Sequence, residues 1–564
     1  MIIIGLSPTV HESAVGIVVN GRLVAAAAEE RFTRVKNQGG FPYRALEFAM
    51  KQAGVTASDV DYVAYAALPY IRERILDLKA YLNNIGYTIL CGGNLKSRTL
   101  HFLNYTRNIL LNKEWQTWGG RVRRMLNALA EYSLVDKIIY VDHHASHIAS
   151  AYYASGFDRA LGVSLDGYGS GASGSFYLCE GGRMRLLQRI PYPHSLGTFY
   201  RRVTCALGFK PNRHEGKIVG LAAYGDPSIL YDHVISRFDL SHPDYYRFKS
   251  SQDPFEERRL AEQYPREHVA AAYQKALEDV ATQYVKLYVE KYNTTHIVAA
   301  GGVFANVKMN QRVMDIPGVE QIFIFPAMSD GGVGVGAALY LASQLDGTEP
   351  FRLENVYLGP GFSEREIEEA IRAAGLPFRY VPDIEWEIAE LVAKGKVVAR
   401  FDGRMEYGPR ALGNRSILCQ ATDPSINKWL NDRLKRTEFM PFAPATLIKH
   451  AHRLYRNIEK GRYTAEFMTI TFDCTEELKH QSPAAVHVDG TARPQLVSEQ
   501  TNPSFYRILQ HYYQLTGLPS MINTSFNMHE EPIVCTPEDA VRAFMDGRLD
   551  YLAAGPFLVT ANSR

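Results

Sequence analysis

A stretch that combines arginines with glycines is the part of the sequence best suited to binding an anion. Residues 403–416 contain Arg404, Arg410 and Arg415 among three glycines and a proline. Arginine presents a planar set of donors that matches phosphate and carboxylate oxygens, and glycine lets a backbone approach a ligand closely. The apolar runs on either side are typical of buried strands. The stretch therefore predicts an anion-binding loop, and the alternative is a solvated turn with incidental charges.

Two histidines and two aspartates have the types and positions of a metal site. His143 and His147 are four residues apart, so on a helix both imidazoles would lie on one face. Asp166 ends a predicted strand, and Asp330 begins a glycine turn before a helix. Such a set suits iron, manganese or zinc. The histidine spacing alone fits packing or capping residues equally well, but the two aspartates favour the metal interpretation.

His11 is the candidate general base. It lies in the loop that follows the first predicted strand, and an imidazole has the right pKa to accept a proton from a hydroxyl at neutral pH. A lone histidine is more often a structural residue. The prediction therefore depends on whether this loop faces a ligand.

Other polar or glycine-rich loops in the first half of the chain could also contact a ligand. Lys36 could reach an anion, although its segment could equally be a solvated helix start. Glu215 lies in a polar loop that suits substrate contact. Backbone N–H groups at strand-to-helix turns can point to anions. The glycines that follow predicted strands are Gly167, Gly301 and Gly302.

Three more loops in the C-terminal part add cations and amides to the predicted anion site. A phosphate needs several converging cations and N–H donors, and four such loops in one domain are hard to explain as stabilising features. The candidate anion-binding residues of these further loops are Lys435, Arg436, Arg493 and Asn527.

The elements that must position these residues repeat along the chain. A strand, a loop and a hairpin occur twice, and Asn20-Gly21 has the composition of a type I′ hairpin turn. The predicted strands lie at 2–6, 14–19 and 23–28 and again at 160–165, 173–179 and 184–189. This repetition predicts an internal duplication in an α/β, actin-like ATPase fold, with glycine-rich loops at the ends of strands.

A helical insertion and a domain boundary complete the predicted organisation. Residues 70–135 fit neither repeat and predict helices at 70–84, 100–111 and 121–132, with a basic surface that is either solvated or docks an acceptor or partner. Turn residues between 345 and 379 predict a boundary. We assign residues 1–360 to the first domain and 361–564 to a mixed α/β domain, in which Ser363 caps a helix ending at Ala374.

Composition and charge are those of an ordinary globular protein of 564 residues, a length that predicts two or three domains. The net charge of +2 argues against nucleic-acid binding as the main function. We find neither a signal peptide nor an apolar run long enough to span a membrane. The six cysteines form no CxxC pair, which argues against zinc ribbons and disulfides. We therefore expect a cytoplasmic protein.

Taken together and in this order, these motifs resemble the O-carbamoyltransferase family of nodulation-factor, cephalosporin and tobramycin carbamoylation. The segments that carry the resemblance are 11–14, 29–36, 142–147, 166–167, 215–225, 301–310, 329–332, 403–416, 441–444, 487–494 and 523–527. The resemblance implies a first domain like the threonylcarbamoyl-transferring ATPase-fold enzymes and a second domain like the YrdC enzymes.

The resemblance also implies a two-stage reaction. The second domain would convert carbamoyl phosphate and ATP, supplied with Mg2+, into carbamoyl adenylate. The first domain, with an iron-type metal (Fe2+ or Mn2+), would transfer the carbamoyl group to a hydroxyl of a small natural product, such as an antibiotic, or of a sugar. Neither nucleic acid nor membrane would be a partner, and a homodimer is among the expected assemblies.

Site roles follow from the same resemblance. The implied metal ligands are His143, His147 and Asp330, with Asp166 beside them, and His11 would lie at the acceptor hydroxyl and Glu215 near the acceptor. The residues expected at carbamoyl adenylate are Lys36, Asp166, Gly167, Gly301, Gly302 and Asn306. The residues expected at carbamoyl phosphate and ATP are Arg404, Arg410, Arg415, Lys435, Arg436, Arg493, Asn527 and His529.

Two positions depart from the family pattern, and two other functions stay open. Met440 and the pair His529-Glu530 stand where many members carry arginine or arginine–glycine, so Arg436 or His529 would supply the missing charge. One alternative is a hydrogenase-maturation-type carbamoyltransferase that modifies a protein cysteine, although its zinc-finger cysteine pairs are not seen here. The other is a non-catalytic nucleotide-binding protein on an actin-like fold.

Overall fold

The computed structural model describes residues 1–9, 11–91, 113–249, 256–436 and 439–561, without the side chains of 81, 84–91 and 113–121. The chain forms two units. The first contains Met1–Val24, Gly39–Tyr43 and Ala53–Arg352, and the second contains Ala25–Gln38, Arg44–Gln52 and Leu353–Arg564. The boundary predicted from sequence lay at 360, whereas the structure divides the chain after Arg352 and adds two short N-terminal segments to the second unit.

The N-terminal half contains two five-stranded sheets among its described residues. The strands of the first sheet are β1 (Ile2–Ser7), β2 (Ala14–Val19), β3 (Arg22–Ala28), β4 (Tyr62–Tyr65) and β5 (Ile138–Tyr140), in the order β3-β2-β1-β4-β5. The later strands are β6 (Arg159–Gly169), β7 (Ala172–Glu180), β8 (Arg183–Pro191), β9 (Phe238–Asp239), β10 (Arg247–Phe248), β11 (His296–Ala300) and β12 (Gln321–Ile324). The second sheet has the order β8-β7-β6-β11-β12, while β9 and β10 form a separate pair.

The two sheets have the same topology. In each, the first strand is antiparallel to the next strand of the chain and parallel to a strand on its other side. This repetition confirms the predicted duplication and the actin-like fold class.

Helices alternate with these strands along the chain. The helices described up to residue 352 are α1 (Glu30–Thr33), α2 (Tyr43–Ala53), α3 (Tyr70–Cys91), α4 (Lys113–Glu131), α5 (His143–Ser155), α6 (Leu196–Ala206), α7 (Glu215–Ala222), α8 (Tyr231–Ile235), α9 (Glu256–Gln263), α10 (Arg266–Tyr292), α11 (Val307–Met314) and α12 (Val333–Asp346). Helices α5 and α12 pack so closely that a Cβ at Gly336 would lie 1.8 Å from the Ser146 carbonyl oxygen. Glycine is therefore required at this crossing.

The insertion is helical at both ends, as predicted. Its first helix, α3, continues to Cys91 rather than ending at residue 84, and α4 covers most of the predicted third helix. The helix predicted at 100–111 lies outside the described residues. Within the described parts of the chain, the helices are all too short or too polar to cross a bilayer.

One predicted strand end is wrong. Strand β6 continues past Asp166 to Gly169, and its pairing with β7 shifts between Leu165 and Gly169. Residues 166–168 therefore form a β-bulge rather than a loop. A bulge redirects a side chain locally without ending the strand, and this alternative is not visible in a run of glycine and polar residues.

The second unit is built on a mixed sheet of eight strands among its described residues. Its strands are β13 (Phe378–Tyr380), β14 (Val398–Phe401), β15 (Arg415–Cys419), β16 (Ala443–Leu447), β19 (Gln495–Val497), β20 (Ser520–Ser525), β21 (Tyr551–Ala554) and β22 (Phe557–Thr560). They lie in the order β13-β22-β21-β14-β15-β20-β16-β19, beside a small pair formed by β17 (Phe472–Asp473) and β18 (Thr491–Ala492). The predicted mixed α/β fold class of this half is confirmed.

Helices cover both faces of this sheet. The helices are α13 (Glu364–Ala373), α14 (Ile384–Ala393), α15 (Ser425–Arg433), α16 (Ala451–Leu454), α17 (Ile458–Ala465), α18 (Glu476–Gln481), α19 (Pro503–Thr516) and α20 (Pro537–Gly547). Alternate residues of a strand enter opposite cores: Ile417 packs on one face and Leu418 on the other. Ser363 caps α13 with a capping box, which confirms the predicted helix start.

Candidate functional site

Helix α5 brings two histidine rings to one point in the first unit. His143 and His147 lie one turn apart, and their Nε2 atoms are 3.1 Å from each other. Both rings are buried. Asp142 caps the helix, since its Oδ1 accepts a hydrogen bond from the Ala145 N–H at 3.0 Å. Two ring nitrogens that face each other this closely need a proton or a metal ion between them.

Asp166 and Asp330 complete a four-residue cluster with these histidines. Asp166 Oδ2 lies 3.2 Å from His143 Nε2 and 3.8 Å from His147 Nε2, and Asp330 Oδ1 lies 3.6 Å from both. The four donor atoms lie within 4.8 Å of one another. Ligands held about 2.0–2.2 Å from one ion are roughly 3.0–3.5 Å apart. The set therefore fits one divalent metal ion.

The cluster strongly attracts positive charge. Burial disfavours the protonated form of His143, but the hydrogen bond with Asp166 and the charge of Asp330 outweigh it and raise its pKa to about 9. Burial opposes ionisation of Asp166, yet the hydrogen bonds from His143 and His147 hold its pKa well below the usual range. Neighbouring His144 is different, because burial lowers its pKa to about 4.

A surrounding layer of contacts orients the two aspartates. The Gly302 N–H donates to Asp166 Oδ1 at 3.0 Å, which leaves Oδ2 facing the histidines. Ser195 Oγ donates to the main-chain carbonyls of Asp166 and Gly167. On the other side, Ser7 at the end of β1 donates to the Asp330 carbonyl at 2.5 Å. Such contacts fix the direction in which metal ligands point.

Glycines make this arrangement possible. Gly301 has φ of 110°, and a Cβ there would lie 2.3 Å from the Leu165 carbonyl oxygen. A Cβ at Gly169 would lie 2.0 Å from His143 Cδ2. The structure thus brings the predicted Gly167, Gly301 and Gly302 together around Asp166.

His11 lies in the loop that follows β1, where it is half-buried. The next residue, Glu12, accepts a hydrogen bond from Ser329, which directly precedes Asp330. Glu12 also has φ of 63°, a left-handed conformation that is unusual for a residue other than glycine. The loop that carries the predicted general base is therefore tied to the turn that carries a metal-type ligand.

Asn306 lies in a polar network that sequence reasoning missed. Asn306 caps α11 and exchanges hydrogen bonds with Gln274, which also accepts one from Tyr200. Glu215 lies at the start of α7, where its Oε1 accepts a hydrogen bond from the Asn212 N–H at 2.6 Å, and burial raises its pKa. Gln274 lies inside the long helix α10. A polar residue in a helix carries no local signal that another part of the chain will contact it.

Lys36 belongs to a different unit from the other residues predicted to bind carbamoyl adenylate. It follows α1 in the segment 25–38, which folds with the second unit, whereas the other residues of that set lie in the first. The turn after α1 is held by Glu30, whose Oε2 accepts a hydrogen bond from the Asn37 N–H at 2.6 Å.

The predicted anion loops of the second unit meet at one edge of its sheet. The start of β15 pairs with the end of β20, whose Asn523 pairs in turn with Ala443 at the start of β16. Strand β19 runs parallel to β16 and starts at the same edge. The connections that carry Arg410, Lys435 and Arg493 lead into β15, β16 and β19, and Asn527 follows β20. The structure thus brings the four cation- or amide-rich connections to a common edge.

Glu406 holds much of the loop 403–416. Its Oε1 accepts hydrogen bonds from the N–H groups of Leu412, Asn414 and Arg415 at 2.8, 2.8 and 3.2 Å. The Gly413 N–H donates to Ser416 Oγ. These backbone donors are therefore used inside the loop.

Arg404 and Arg415, two of the predicted anion-binding residues, donate hydrogen bonds to main-chain carbonyls. Arg415 is fully buried, and its terminal nitrogens donate to the main-chain carbonyls of 360, 402, 403 and 414. Its guanidinium also lies 3.9 Å above the Phe401 ring, and burial lowers its pKa to about 10. Arg404 donates to the carbonyls of Leu358 and Gly359. Burying a guanidinium is costly unless its donors are hydrogen-bonded, and here main-chain carbonyls accept from both terminal nitrogens of Arg415.

The remaining predicted cations differ in exposure. Arg410 and Arg493 are half-buried, while Lys435 is exposed and has φ of 56°. Arg436 donates to the carbonyls of Ser525 and Asn527, both at 2.7 Å, and so anchors the segment after β20. The Nε2 atom of His529 lies 3.7 Å from Oε1 of its sequence neighbour Glu530.

Comparison with known proteins gives one family for both halves. A model described as Carbamoyltransferase N-terminus matches residues 2–339, and one described as Carbamoyltransferase C-terminus matches 389–561. Nodulation protein NolNO of Sinorhizobium fredii is 32% identical over 97% of this chain and 79% of its own length. An uncharacterised protein of Synechocystis is 32% identical over 100% and 97%. Among solved structures, one match is component A of (R)-2-hydroxyglutaryl-CoA dehydratase of Acidaminococcus fermentans. It is 15% identical in sequence, the match covers 61% of this chain and 98% of the other, and the TM-score is 0.35.

Proposed function

Because the chain belongs to the carbamoyltransferase family, we propose that it is an O-carbamoyltransferase that uses ATP and carbamoyl phosphate. The product would be the carbamate ester of a small natural product or sugar. The observation that carries the proposal is the presence of two different constellations, a His/Asp cluster with metal-ligand spacing and a sheet edge with four cation- or amide-rich connections. We assign carbamoyl transfer to the first unit and activation to the second, which we take to be YrdC-like.

Activation in the second unit consumes one water molecule. Water cleaves carbamoyl phosphate into carbamate and inorganic phosphate. A carbamate oxygen then attacks the α-phosphorus of ATP, forms the new P–O bond and releases pyrophosphate, which leaves carbamoyl adenylate. Mg2+ accompanies the nucleotide phosphates. Both steps bring several negative charges together, so converging arginine and lysine side chains lower their barriers.

We place Arg410, Lys435 and Arg493 at these anions, with Arg436, Asn527 and His529 beside them. All six lie in connections at the common edge of the sheet or directly after β20. Arg404 and Arg415 hold the shape of the loop through main-chain carbonyls. Their role in anion binding is therefore indirect.

Transfer in the first unit joins the carbamoyl group to an alcohol. The acceptor oxygen attacks the carbamoyl carbon, the bond to the adenylate oxygen breaks, and AMP leaves. His11 would accept the hydroxyl proton, and Glu215 and Asn306 would help to hold the two substrates. A divalent ion such as Fe2+ or Mn2+ bound by His143, His147, Asp166 and Asp330 would supply Lewis-acid chemistry beside the carbamoyl group.

An isotope-exchange assay tests the activation stage. Purified protein with ATP, Mg2+ and carbamoyl phosphate should incorporate labelled pyrophosphate into ATP, and the incorporation should depend on carbamoyl phosphate. Arg410→Ala should reduce the exchange about 100-fold, the scale of losing a charged contact to a phosphate. Arg365→Ala, on the exposed side of α13, is the matched control and should exchange like the wild type. A folded wild-type protein without carbamoyl-phosphate-dependent exchange would refute the proposed activation.

A further inference from the structure

A short N-terminal segment holds the tip of the loop 403–416. Residues 25–38 fold with the second unit, and α1 lies against this loop. Phe32 packs on a small core formed by Met405, Ala411, Ile533 and Cys535. The segment therefore contacts both ends of residues 405–411, which we call the loop tip. More than 350 residues of sequence separate the segment from the loop tip.

Arg31 makes the most specific of these contacts. Its side chain is 7% exposed, and its Nη2 donates to the Gly408 carbonyl at 2.9 Å. Its Nη1 is paired with Glu30 Oε1 at 3.0 Å. Gly408 has φ of 118°, a conformation that residues with a side chain rarely adopt. Arg31 thus binds the loop at a position where the backbone has an uncommon geometry.

The position of this bond along the loop matters. The Met405 and Tyr407 N–H groups donate to the carbonyls of Pro360 and Val356, and Glu406 holds the segment from Leu412 onward. Arg410 lies between these two anchored parts, two residues after Gly408. The Arg31 bond falls in this middle part, so it fixes the section of backbone that carries Arg410.

Arg34 anchors the same segment at a different place. It donates to the carbonyls of Pro532 and Ile533 at 2.8 and 2.7 Å, and its Nε lies 3.2 Å from Asp539 Oδ1. The helix that carries Arg31 is therefore fixed independently of the loop. A donor on a fixed support restrains its acceptor, which is what positioning requires.

We propose that Arg31 is a positioning residue for the anion site, acting through Gly408 to place Arg410. The inference rests on the proposed function for its kinetic consequence, but its structural part does not. Arg31 itself does not contact carbamoyl phosphate. Its loss lets the loop tip move, so Arg410 binds the phosphate less often in the productive position.

Amide hydrogen exchange and kinetics together test the proposal. The variants are Arg31→Ala and Arg31→Lys, with Arg44→Ala as the matched control, because Arg44 also donates to α1, at the Phe32 carbonyl, without contacting the loop. Peptides that cover 407–411 should take up deuterium faster in Arg31→Ala. In pyrophosphate exchange its KM for carbamoyl phosphate should rise about tenfold or more, while its maximal rate changes less than about threefold. Arg31→Lys should recover part of both effects.

The outcomes separate this inference from the proposed function. Unchanged uptake and unchanged KM in a folded Arg31→Ala variant would overturn the positioning role. Faster uptake with an unchanged KM would also overturn it, since the loop tip would then not serve the anion. If the wild type shows no exchange at all, the proposed function fails, and deuterium uptake still decides whether Arg31 restrains the loop. If Arg31→Ala does not fold, Arg31→Lys decides.

Discussion

Gly169 allows a direct test of the His/Asp cluster, because its replacement by alanine would push the His143 ring out of position. A Cβ at Gly169 would lie 2.0 Å from His143 Cδ2 and 2.5 Å from Cγ. Carbon atoms in ordinary contact are about 3.4 Å or more apart, so the ring must move by roughly 1.4 Å. Metal–ligand distances tolerate only about 0.2 Å. Gly169→Ala should therefore remove His143 as a ligand.

The assay is a calorimetric titration of the metal-free protein with Mn2+, which measures the affinity for the ion. Gly169→Ala should bind the ion at least about 10–100-fold more weakly than the wild type, the scale seen when the support of a metal ligand is lost. Gly167→Ala is the matched control in the same bulge, since a Cβ there would meet nothing within 4 Å. It should bind like the wild type.

Two results would refute the reasoning. Equal Mn2+ affinity of Gly169→Ala and the wild type would mean that the ring position does not control binding. Equal weakening in both glycine variants would mean that the bulge, and not contact with His143, is responsible. A wild type that binds no divalent ion would remove the metal interpretation of the cluster itself.

Three further predictions concern pH and stability. The folded pKa of His143, about 9, lies above its unfolded value near 6.5. Its protonation should thus add roughly 3 kcal/mol to the free energy of unfolding of the metal-free protein, fully below pH 6.5 and not at all once the pH has risen through 9. Urea unfolding of the wild type and His143→Gln at pH 6 and 9.5 measures this contribution. An equal loss of stability in His143→Gln at both pH values would contradict it. Arg415→Met should destabilise the second unit by about 2–4 kcal/mol, because buried carbonyls lose their donors. The control Arg365→Met changes an exposed side chain and should leave the urea midpoint unchanged. Equal urea midpoints of Arg415→Met and the wild type would argue against the role assigned to Arg415. Ser363→Ala should cost about 1 kcal/mol by loss of the α13 cap, Ser363→Thr should retain most of it, and an unchanged midpoint for the alanine variant would contradict the capping argument.

Patterns that depend on neighbouring residues predicted much of the fold. The duplicated strand–loop–hairpin units, the capping box at Ser363 and the strands around the loop 403–416 were all read from spacing and composition, and the structure contains them. The order of the strands within each sheet was not predicted from the sequence. It depends on pairing between residues far apart in the chain, which leaves no local pattern.

The candidate sites divide in the same way. The spacing of His143 and His147 predicted that both rings would lie on one helix face, since helix geometry alone decides this. Sequence could not show that Asp166 lies in a bulge, or that a Gly302 N–H orients its carboxylate. Those features arise where separate strands meet.

What the sequence determined by itself is the set of chemical groups: imidazoles and carboxylates suited to a metal, arginines and lysines suited to an anion. The tertiary structure decided which of them lie close together and which are used for contacts inside the protein. Arg415 and Arg410 come from one motif, yet Arg415 turns inward to main-chain carbonyls. The structure also decided that Arg31, in the short helix α1 of the segment 25–38, donates to the Gly408 carbonyl. A side chain's role depends on which buried polar groups it must satisfy, and those are set by packing between distant parts of the chain.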